Sequence, residues 1–427
     1  MEFEESDLAD DIVSDDLPAH LGPTEDNFKP WHKIRKQYIR HHMWNQTTRE
    51  FVKGRWRLEL DAKRSSNASM SEHNEISEGT KIIKESYFPL RCLLIPGEDL
   101  LDVRSMQSEL EGYNCLIRYL GFNTSQSSAE KGTRIYVSNN AVTSLYNVAT
   151  DSQVVKDSFE SIANQKSQAY RTLKEYGPYH LVNLDFCGSL FPSISGNQQK
   201  YYDAIHQLLN FQLNNHRSPW LLFVTTAVVP KEVSVTGIRR LCSATRRNFE
   251  SHEDFAQRLS EILSFSTGLI DSDDEIRAMD EEDLIRLFGV AFGKWLLSFA
   301  QSASPLWSMK MCKSYRYVID PQTGNVMLSL GFRFNPLQYP LDDPSGVSQL
   351  NIEPIDISGN TELDCALDIV DKIANIPDVD SILENRPDIK QTMCEMKANL
   401  LAGAGYNRDA YLKWALSDAD VGPDLVG

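Results

Sequence analysis

The stretch His180-Leu-Val-Asn-Leu-Asp-Phe-Cys-Gly188 decides the fold of this chain. Its run of apolar residues predicts a buried strand that ends at Asp185, followed by a glycine turn. A parallel strand buried on both faces carries few polar side chains, so a carboxylate at its carboxyl end marks the edge of a cleft. Open α/β sheets bind their ligands in the crevice at that edge. The stretch therefore predicts a parallel sheet with a site near Asp185.

Short apolar runs alternate with amphipathic segments on both sides of this strand. The predicted strands are Leu90–Ile95, Asn114–Leu120, Arg134–Ser138, His180–Phe186 and Trp220–Val228, and the helices between them are Asp99–Leu110, Asp151–Glu175 and Gln198–Asn214. Further along, Ser308–Ile319 and Asn325–Phe334 flank the turn sequence Asp320-Pro-Gln-Thr-Gly324, which is typical of an antiparallel hairpin. This alternation predicts an α/β fold with a doubly wound, mostly parallel sheet.

Length and charge divide the 427 residues into four parts. Residues 1–27 are an acidic, disordered tail, residues 28–80 a basic, aromatic-rich arm and linker, residues 81–340 the α/β domain, and residues 341–427 a helical C-terminal region. The net charge of −17 argues against a surface that coats nucleic acid uniformly. No apolar run approaches the roughly 18 residues that span a membrane. The seven cysteines form no metal-binding spacing, so we expect a cytoplasmic protein without a metal site.

Five strand–helix units followed by a terminal hairpin resemble the class I S-adenosylmethionine-dependent methyltransferases. The resemblance covers Lys81–Phe334 and rests on the order of the elements. It implies a seven-stranded sheet with a terminal antiparallel hairpin, and S-adenosylmethionine as the cofactor. In that family the first strand ends in a glycine-rich turn, and the matching stretch here is Ile95-Pro-Gly-Glu-Asp-Leu-Leu-Asp102, with Gly97 as its one glycine. Divergent chains of this kind look most like bacterial accessory or phage-defence proteins.

The resemblance also implies roles for individual residues. Asp185 stands in the place of the family's fourth-strand catalytic loop, where it would face the methyl acceptor. The cofactor would lie on residues that follow the first three predicted strands, namely Pro96, Gly97, Asp99, Asp102, Asn123 and Asn139. Other interpretations stay open: acids in the first turn of a helix interact favourably with the helix dipole, asparagines form turns, and Asp185 is a turn or capping residue.

The arm is a second candidate site. Basic side chains interleaved with aromatic rings suit phosphate contact and base stacking, and the residues predicted to contact nucleic acid are Trp31, Lys33, Arg35, Lys36 and Arg40. The segment Lys33–Met43 is predicted to be helical. Alternatively, the arm packs its tryptophans on the main domain and binds a protein partner or the acidic tail.

Two functions remain open on the sequence alone. The first is methyl transfer from S-adenosylmethionine to a nucleic acid or another anionic substrate. The second is a catalytically degenerate binding or scaffold subunit of a nucleic-acid-handling or phage-defence assembly, with protein partners at the arm or the C-terminal helices. The single glycine in the loop and the absence of an acid after the second predicted strand favour the second function, whereas Asp185 at a strand end keeps the first open.

Overall fold

The computed structural model describes nine segments of the chain, and they exclude the acidic tail and most of the predicted linker. The described residues are 28–55, 88–124, 129–186, 188–190, 200–229, 234–263, 273–319, 325–337 and 359–417. The predicted tail 1–27, residues 56–80 of the predicted arm and linker, and the hairpin turn at residues 320–324 lie outside them. Within these segments, no helix has the length and apolar character needed to cross a membrane.

The described residues build one mixed, mostly parallel sheet of eight strands. The strands are β1 (Phe88–Leu94), β2 (Cys115–Phe122), β3 (Gln153–Val155), β4 (Leu181–Asp185), β5 (Trp220–Ala227), β6 (Trp307–Met311), β7 (Tyr315–Val318) and β8 (Val326–Pro336). Their order is β3-β2-β1-β4-β5-β8-β6, and β7 also pairs with β8. The first five strands are parallel to one another, whereas β8 is antiparallel to β5, β6 and β7. The prediction of an α/β fold with a mostly parallel sheet and a terminal antiparallel hairpin is confirmed.

The eighth strand arises because the first arm of the predicted hairpin is broken in two. β6 and β7 both pair with β8, one after the other, and the break between them lies opposite Gly331. The amide of Gly331 donates a hydrogen bond of 3.1 Å to the Ser314 hydroxyl, and a Cβ at Gly331 would lie 3.0 Å from the carbonyl oxygen of Lys313. The backbone of the break therefore approaches β8 so closely that a larger residue at position 331 would push the Lys313 carbonyl group away.

The helices lie on both faces of the sheet. They are α1 (Ile34–Ile39), α2 (Leu101–Leu110), α3 (Ala129–Thr143), α4 (Gln168–Tyr176), α5 (Lys200–Asn215), α6 (Val235–Ser251), α7 (Glu253–Ile262), α8 (Asp273–Ala278), α9 (Glu281–Ser302), α10 (Glu362–Ala374), α11 (Val379–Asn385), α12 (Pro387–Ala402) and α13 (Arg408–Ser417). Helix α1 continues through a π-helical stretch, Arg40–Asn45, to residue 55. The segment Lys33–Met43, predicted to be helical, lies within the helix of residues 34–55 apart from its first residue, and the described part of the predicted helical C-terminal region contains α10 to α13.

The prediction was wrong at the third strand. Arg134–Ser138 was expected to be a strand, but it lies within α3. Its β-branched and aromatic residues favour a strand locally, yet Ile135 and Val142 are buried at helical spacing on one side of α3. The third strand is instead the short β3, at the start of the segment that was predicted as one long helix over Asp151–Glu175. That segment also contains a 3-10 turn and α4.

Alternate residues of the central strands pack into two separate cores. On one face, Leu93 and Val182 pack with α4, α5, α9 and α10. On the other face, Cys92 and Leu181 pack with the arm helix, α2 and α11. The arm contributes fully buried apolar side chains to this second core, among them Ile39 and Met43. The arm is thus an integral layer of the fold within the described residues.

Two glycines let α9 and α10 approach each other closely. Gly289 and Gly293, one helical turn apart on α9, face Ile373 and Ile369 on α10. A Cβ at Gly293 would lie 2.9 Å from the Cγ2 atom of Ile369, and one at Gly289 would lie 2.5 Å from the Cδ1 atom of Ile373. These two isoleucines therefore occupy the space that larger residues on α9 would fill.

Candidate functional site

The side-chain alternation of β4 decides where Asp185 points. Leu181, Asn183 and Asp185 share the face of the sheet that packs against the arm, because side chains two residues apart on a strand lie on the same side. Asp185 is the last residue of β4, next to the loop that follows β1. The predicted crevice at the carboxyl ends of the parallel strands therefore lies directly beneath the arm helix.

Lys36 of the arm occupies this crevice and pairs with Asp185. The Nζ atom of Lys36 donates to the Oδ1 atom of Asp185 and, at 3.3 Å, to the hydroxyl of Tyr317 on β7. It also lies 4.8 Å from the centroid of the Trp44 ring, within cation–π distance. Burial lowers the pKa of Lys36, but Asp185 and Tyr317 together outweigh burial and hold this pKa above its usual value. Lys36 is therefore a buried ammonium ion whose counter-ion is Asp185.

Arg40, one turn further along the arm, pairs with a second acid of the crevice. Its Nε atom donates to the Oδ1 atom of Asp102 over 2.6 Å, and both side chains are buried. Asp102 lies in the first turn of α2, whose N-terminus faces the loop after β1. Two neighbouring ion pairs thus cross the crevice. One joins the arm to the carboxylate at the end of β4, and the other joins the arm to the carboxylate at the start of α2.

The third acid, Asp99, is surrounded by donors from three different elements. Arg134 of α3 binds its Oδ1 atom at 2.7–2.8 Å, Tyr406 donates to its Oδ2 atom over 2.9 Å, and His32 lies 3.7 Å from Oδ2. Burial raises the pKa of Asp99, but the His32 and Arg134 contacts outweigh it and lower that pKa below its usual value. The Asp99 carboxylate is therefore fully used in joining the crevice to α3 and to the segment between α12 and α13.

The residue between these acids has a strained backbone. Leu100, which precedes α2, has φ 50° and ψ 35°, in the left-handed region that non-glycine residues rarely adopt. Its side chain is fully buried in the core beneath the arm, which holds the backbone in place. Strain of this kind concentrates at functional sites and tight turns. No feature of the sequence predicted it.

The other residues assigned to a cofactor make contacts within the protein. Asn123 donates to the carbonyl oxygen of Pro96 over 2.7 Å, and Pro96 packs on Gly121 of β2. Asn139, expected after the third strand, lies on α3 instead, where its side-chain oxygen accepts a hydrogen bond from the Tyr119 hydroxyl. Gly97 is exposed, and a Cβ there would meet no atom within 4 Å. The side chains present do not fit S-adenosylmethionine in this arrangement, because the Asp102 and Asp99 carboxylates are engaged with the arm and α3, and Asn139 is engaged with Tyr119.

The five residues predicted to contact nucleic acid divide into two groups. Lys36 and Arg40 are buried in the crevice, and Arg35 pairs with Asp380 on α11. Lys33 is partly exposed, and Trp31, with 43% of its surface exposed, is the most accessible aromatic ring of the arm helix and the turn before it. Nucleic-acid binding through this arm remains a prediction. Of the set, Lys33 and Trp31 are the residues whose side chains lie on accessible surface outside the crevice and outside the Arg35–Asp380 pair.

The C-terminal helices cover the start of the arm. The Tyr411 hydroxyl of α13 donates to the carbonyl oxygen of His32 over 2.9 Å, and the ring of Phe28 packs against Tyr406, Tyr411 and Trp414 at centroid distances of 5.3–5.9 Å. Helix α12 lies against both α1 and α2. The crevice is therefore closed by two layers, first the arm and then α12 and α13.

One buried cation of this region was missed by the sequence analysis. Lys397 lies on the inner side of α12 with no exposed surface, and its Nζ atom makes no hydrogen bond within the described part of the chain. Burial, and next the charge of Arg40, lower its pKa well below the usual value for lysine. Only its place on the apolar side of a helix could have marked it, and that signal is weak for a single lysine.

The fold and the crevice together define an α/β protein whose strand-end site is filled by its own N-terminal helix. The chain belongs to the PP_RS20740-like family, whose model matches residues 25–416. The matched range includes the arm and the C-terminal helices as well as the sheet. No curated protein matches the chain.

Proposed function

We propose that this protein is a methyltransferase-like α/β protein that acts as a binding or scaffold subunit and does not transfer methyl groups. The observation that carries this proposal is the pairing of Lys36 with Asp185 and of Arg40 with Asp102 inside the crevice. A cofactor or methyl acceptor at the carboxyl ends of β1 and β4 would need the space and the acceptors that the arm occupies.

The strand order supports the likeness to the methyltransferase fold. The order β3-β2-β1-β4-β5 places the reversal of strand order between β1 and β4, which is where doubly wound sheets bind their ligands. The sheet ends in an antiparallel hairpin, as the resemblance implied. The loop after β1 and the Asp185 carboxylate lie at this reversal, so the arm fills the position at which a relative with this fold would bind a cofactor.

The buried apolar side chains of the arm helix support the closed crevice. Ile39, Met43, Trp44, Phe51 and Val52 of the arm helix are at most 4% exposed. Burial of one such side chain stabilises by about 1.5–3 kcal/mol, so the five together give a gross contribution of about 8–15 kcal/mol before the cost of ordering the arm. A ligand in the crevice would have to displace these side chains and break both ion pairs.

Methyl transfer is the second candidate, and one observation favours it. Asp185 stands at the carboxyl end of β4 within reach of Lys36 and close to Tyr317, so a carboxylate, an ammonium group and a phenol meet where a methyl acceptor would lie. In this function the arm would be a gate that leaves the crevice when substrate binds. The two candidates differ in whether the crevice ever admits S-adenosylmethionine.

Calorimetric titration with S-adenosylmethionine and with its demethylated product separates them. We expect no binding to the wild-type protein, and none to a Lys36→Met/Arg40→Met double variant, in which the acids of the crevice have lost their partners. Lys413→Met, at an exposed lysine of α13, controls for the loss of a positive charge. Binding to the wild type would overturn the scaffold proposal, and binding to the double variant alone would identify a gated enzyme. Membership of a nucleic-acid-handling or phage-defence assembly stays a prediction.

A further inference from the structure

Unsatisfied polar atoms are concentrated where the arm packs on the rest of the protein. Among the described residues, fourteen buried side-chain nitrogen and oxygen atoms have no hydrogen-bond partner, and eight of them belong to residues 32–49. Buried polar atoms of native proteins are almost always satisfied, so this concentration requires an explanation. The eight are the Nε2 atom of His32, the Oε1 atom of Gln37, the Nη1 atom of Arg40, the Nδ1 atom of His41, the Nε2 atom of His42, the Nε1 atom of Trp44, the Oγ1 atom of Thr48 and the Nε atom of Arg49.

The surfaces that receive the arm carry two further atoms of this kind. The Oδ1 atom of Asn183 lies on β4, whose residues 181, 183 and 185 share the face that packs against the arm. The Nζ atom of Lys397 lies on α12, which packs against α1. All these atoms are closed to solvent, so solvent does not satisfy them. The unsatisfied atoms therefore belong to the contact between the arm and its surroundings.

These atoms oppose the gain from the apolar side chains that the arm buries. A buried polar atom without a partner costs about as much free energy as the burial of one apolar side chain gains. The ion pairs of Lys36 and Arg40 offset little of this cost, because each pair also loses the hydration of two charges. Against it stand five apolar side chains of the arm helix that are at most 4% exposed, namely Ile39, Met43, Trp44, Phe51 and Val52. The arm is therefore held by a small difference between large opposing contributions.

The middle of the arm helix also departs from regular α-helical geometry. Arg40–Asn45 is π-helical, a rare conformation that often marks functional sites. Arg40, which pairs with Asp102, and Trp44, whose ring contacts the Lys36 ammonium group, both lie in this stretch. The uncommon geometry thus lies at the residues that close the crevice.

We propose that the arm helix, residues 34–55, is a releasable cover that leaves the crevice as one unit, without any ligand, while the sheet stays folded. Release hydrates the unsatisfied atoms of the arm and exposes Asp185 and Asp102 at the edge of the sheet. Proteins open locally in such cooperative units at a lower free energy than that of global unfolding. The release of the arm does not depend on whether the opened crevice admits S-adenosylmethionine, so titration with that cofactor and the experiments below can fail separately.

Native-state hydrogen exchange of the full chain, at urea concentrations below the unfolding transition, tests the proposal. Ile39 and Met43 are fully buried residues of the arm helix. We expect protection factors for their amides at least 100-fold lower than for the amides of β4 and β5, with a weaker dependence on urea. Amides of the arm that are protected as strongly as those of β4 and β5 would overturn the proposal.

Gln212→Leu shows whether the arm opens independently of the sheet. Gln212 is fully buried on α5, on the face of the sheet opposite the arm, and its side chain makes two hydrogen bonds of 2.8 Å to the backbone of Tyr179. We expect this variant to lower the protection of β4 and β5 and to leave that of Ile39 and Met43 unchanged. An equal loss at all these amides would mean that the arm leaves only when the whole protein unfolds, and would overturn the proposal.

Thr48→Val removes one unsatisfied oxygen atom of the arm at nearly constant shape. We expect the protection of Ile39 and Met43 to rise at least fivefold, because the variant removes a cost that the closed arm alone bears. Thr245→Val is the matched control: both threonines are 1% exposed, but the hydroxyl of Thr245 donates to the carbonyl oxygen of Cys242 over 2.6 Å within α6. The control should leave the protection of the arm unchanged. Protection of the arm that falls or stays constant in Thr48→Val would overturn the proposal.

Discussion

Replacement of Lys36 by methionine is expected to destabilise the protein by about 3–4 kcal/mol at pH 7. The variant keeps the length of the side chain but leaves the Asp185 carboxylate buried without a cation, and loss of one partner of a buried pair typically costs about 3–5 kcal/mol. The buried carboxylate can become neutral by taking up a proton, and the free energy of that protonation is an upper limit on the loss of stability. A free aspartate titrates near pH ~3.9 and each pH unit is equivalent to about 1.4 kcal/mol, so protonation at pH 7 costs at most about 4 kcal/mol.

This limit predicts a pH dependence that shows which buried charged group has lost its partner. Burial raises the pKa of Asp185 in the folded state, and loss of the Lys36 ammonium group raises it further, so the variant loses stability relative to the wild type as the pH rises. We expect the difference to shrink to about 1.5 kcal/mol at pH 5. Asp185→Asn instead leaves the Lys36 ammonium group buried without a counter-ion. Its deficit should be about 4–5 kcal/mol at pH 7 and should shrink to about 2 kcal/mol at pH 9, because deprotonation becomes easier.

Urea unfolding of the wild type, the two single variants and the Lys36→Met/Asp185→Asn double variant forms a complete cycle. The double variant leaves no buried charge at this pair, so we expect its loss of stability to be smaller than the sum of the two single losses by at least about 2 kcal/mol. Losses below about 1 kcal/mol in both single variants, with no dependence on pH, would refute the buried ion pair. They would also remove the main support for a crevice closed by the arm.

Three further predictions address other parts of the fold. Burial lowers the pKa of His180 to about 2 and that of His216 to about 4, below the value near 6.5 of an unfolded chain. The unfolded state therefore takes up protons first as the pH falls, and the free energy of unfolding should decrease by about 2–3 kcal/mol for the pair between pH 7 and 5.5. A urea midpoint that stays constant over this range would contradict the prediction. Gly121→Ala should destabilise the protein by about 1–3 kcal/mol, because the new Cβ would lie 2.9 Å from a Pro96 side-chain atom. Gly97→Ala is the control and should change stability by less than about 0.5 kcal/mol, because its Cβ would meet no atom within 4 Å. Equal effects of the two variants in thermal unfolding would contradict this prediction. Mobility-shift titrations with DNA should give a salt slope that Lys36→Met leaves unchanged, because a buried ammonium group contacts no phosphate; a slope lower by about one unit would place Lys36 on the nucleic acid.

The elements that the sequence predicted correctly are those with a strong local signal. The strands β1, β2, β4 and β5 are apolar runs that end at polar or turn residues, and the hairpin has its turn sequence in place. β3 gave no such signal, because it has three half-buried residues at the edge of the sheet. In α3, the residues around Ile135 favour a strand, and the helix forms because Ile135 and Val142 meet the core on one side. Tertiary packing overrode local propensity there.

The site was predictable in its location but not in its contacts. The position of Asp185 at a strand end followed from the apolar pattern of β4 and from the general behaviour of open sheets. Its partner Lys36 lies 149 residues earlier in the chain. No pattern within the sequence connects residues at that distance, and the basic, aromatic composition of the arm fits a solvated nucleic-acid surface as well as a buried cover. Residues such as Ile39 and Met43 on the arm were the available sign of burial.

The layered closure of the crevice also has a consequence for synthesis on the ribosome. The partners of the arm emerge late, since Tyr411, which binds the carbonyl of His32, follows it by 379 residues. Contacts of such long separation form slowly, because a large loop must close before any energy is gained. The arm helix leaves the ribosome with Lys36, Arg40 and its apolar residues still without partners, and it stays so until the sheet and α12 have been made. This interval is the time in the life of the protein when the arm is most open to chaperones, to proteases and to pairing with another chain.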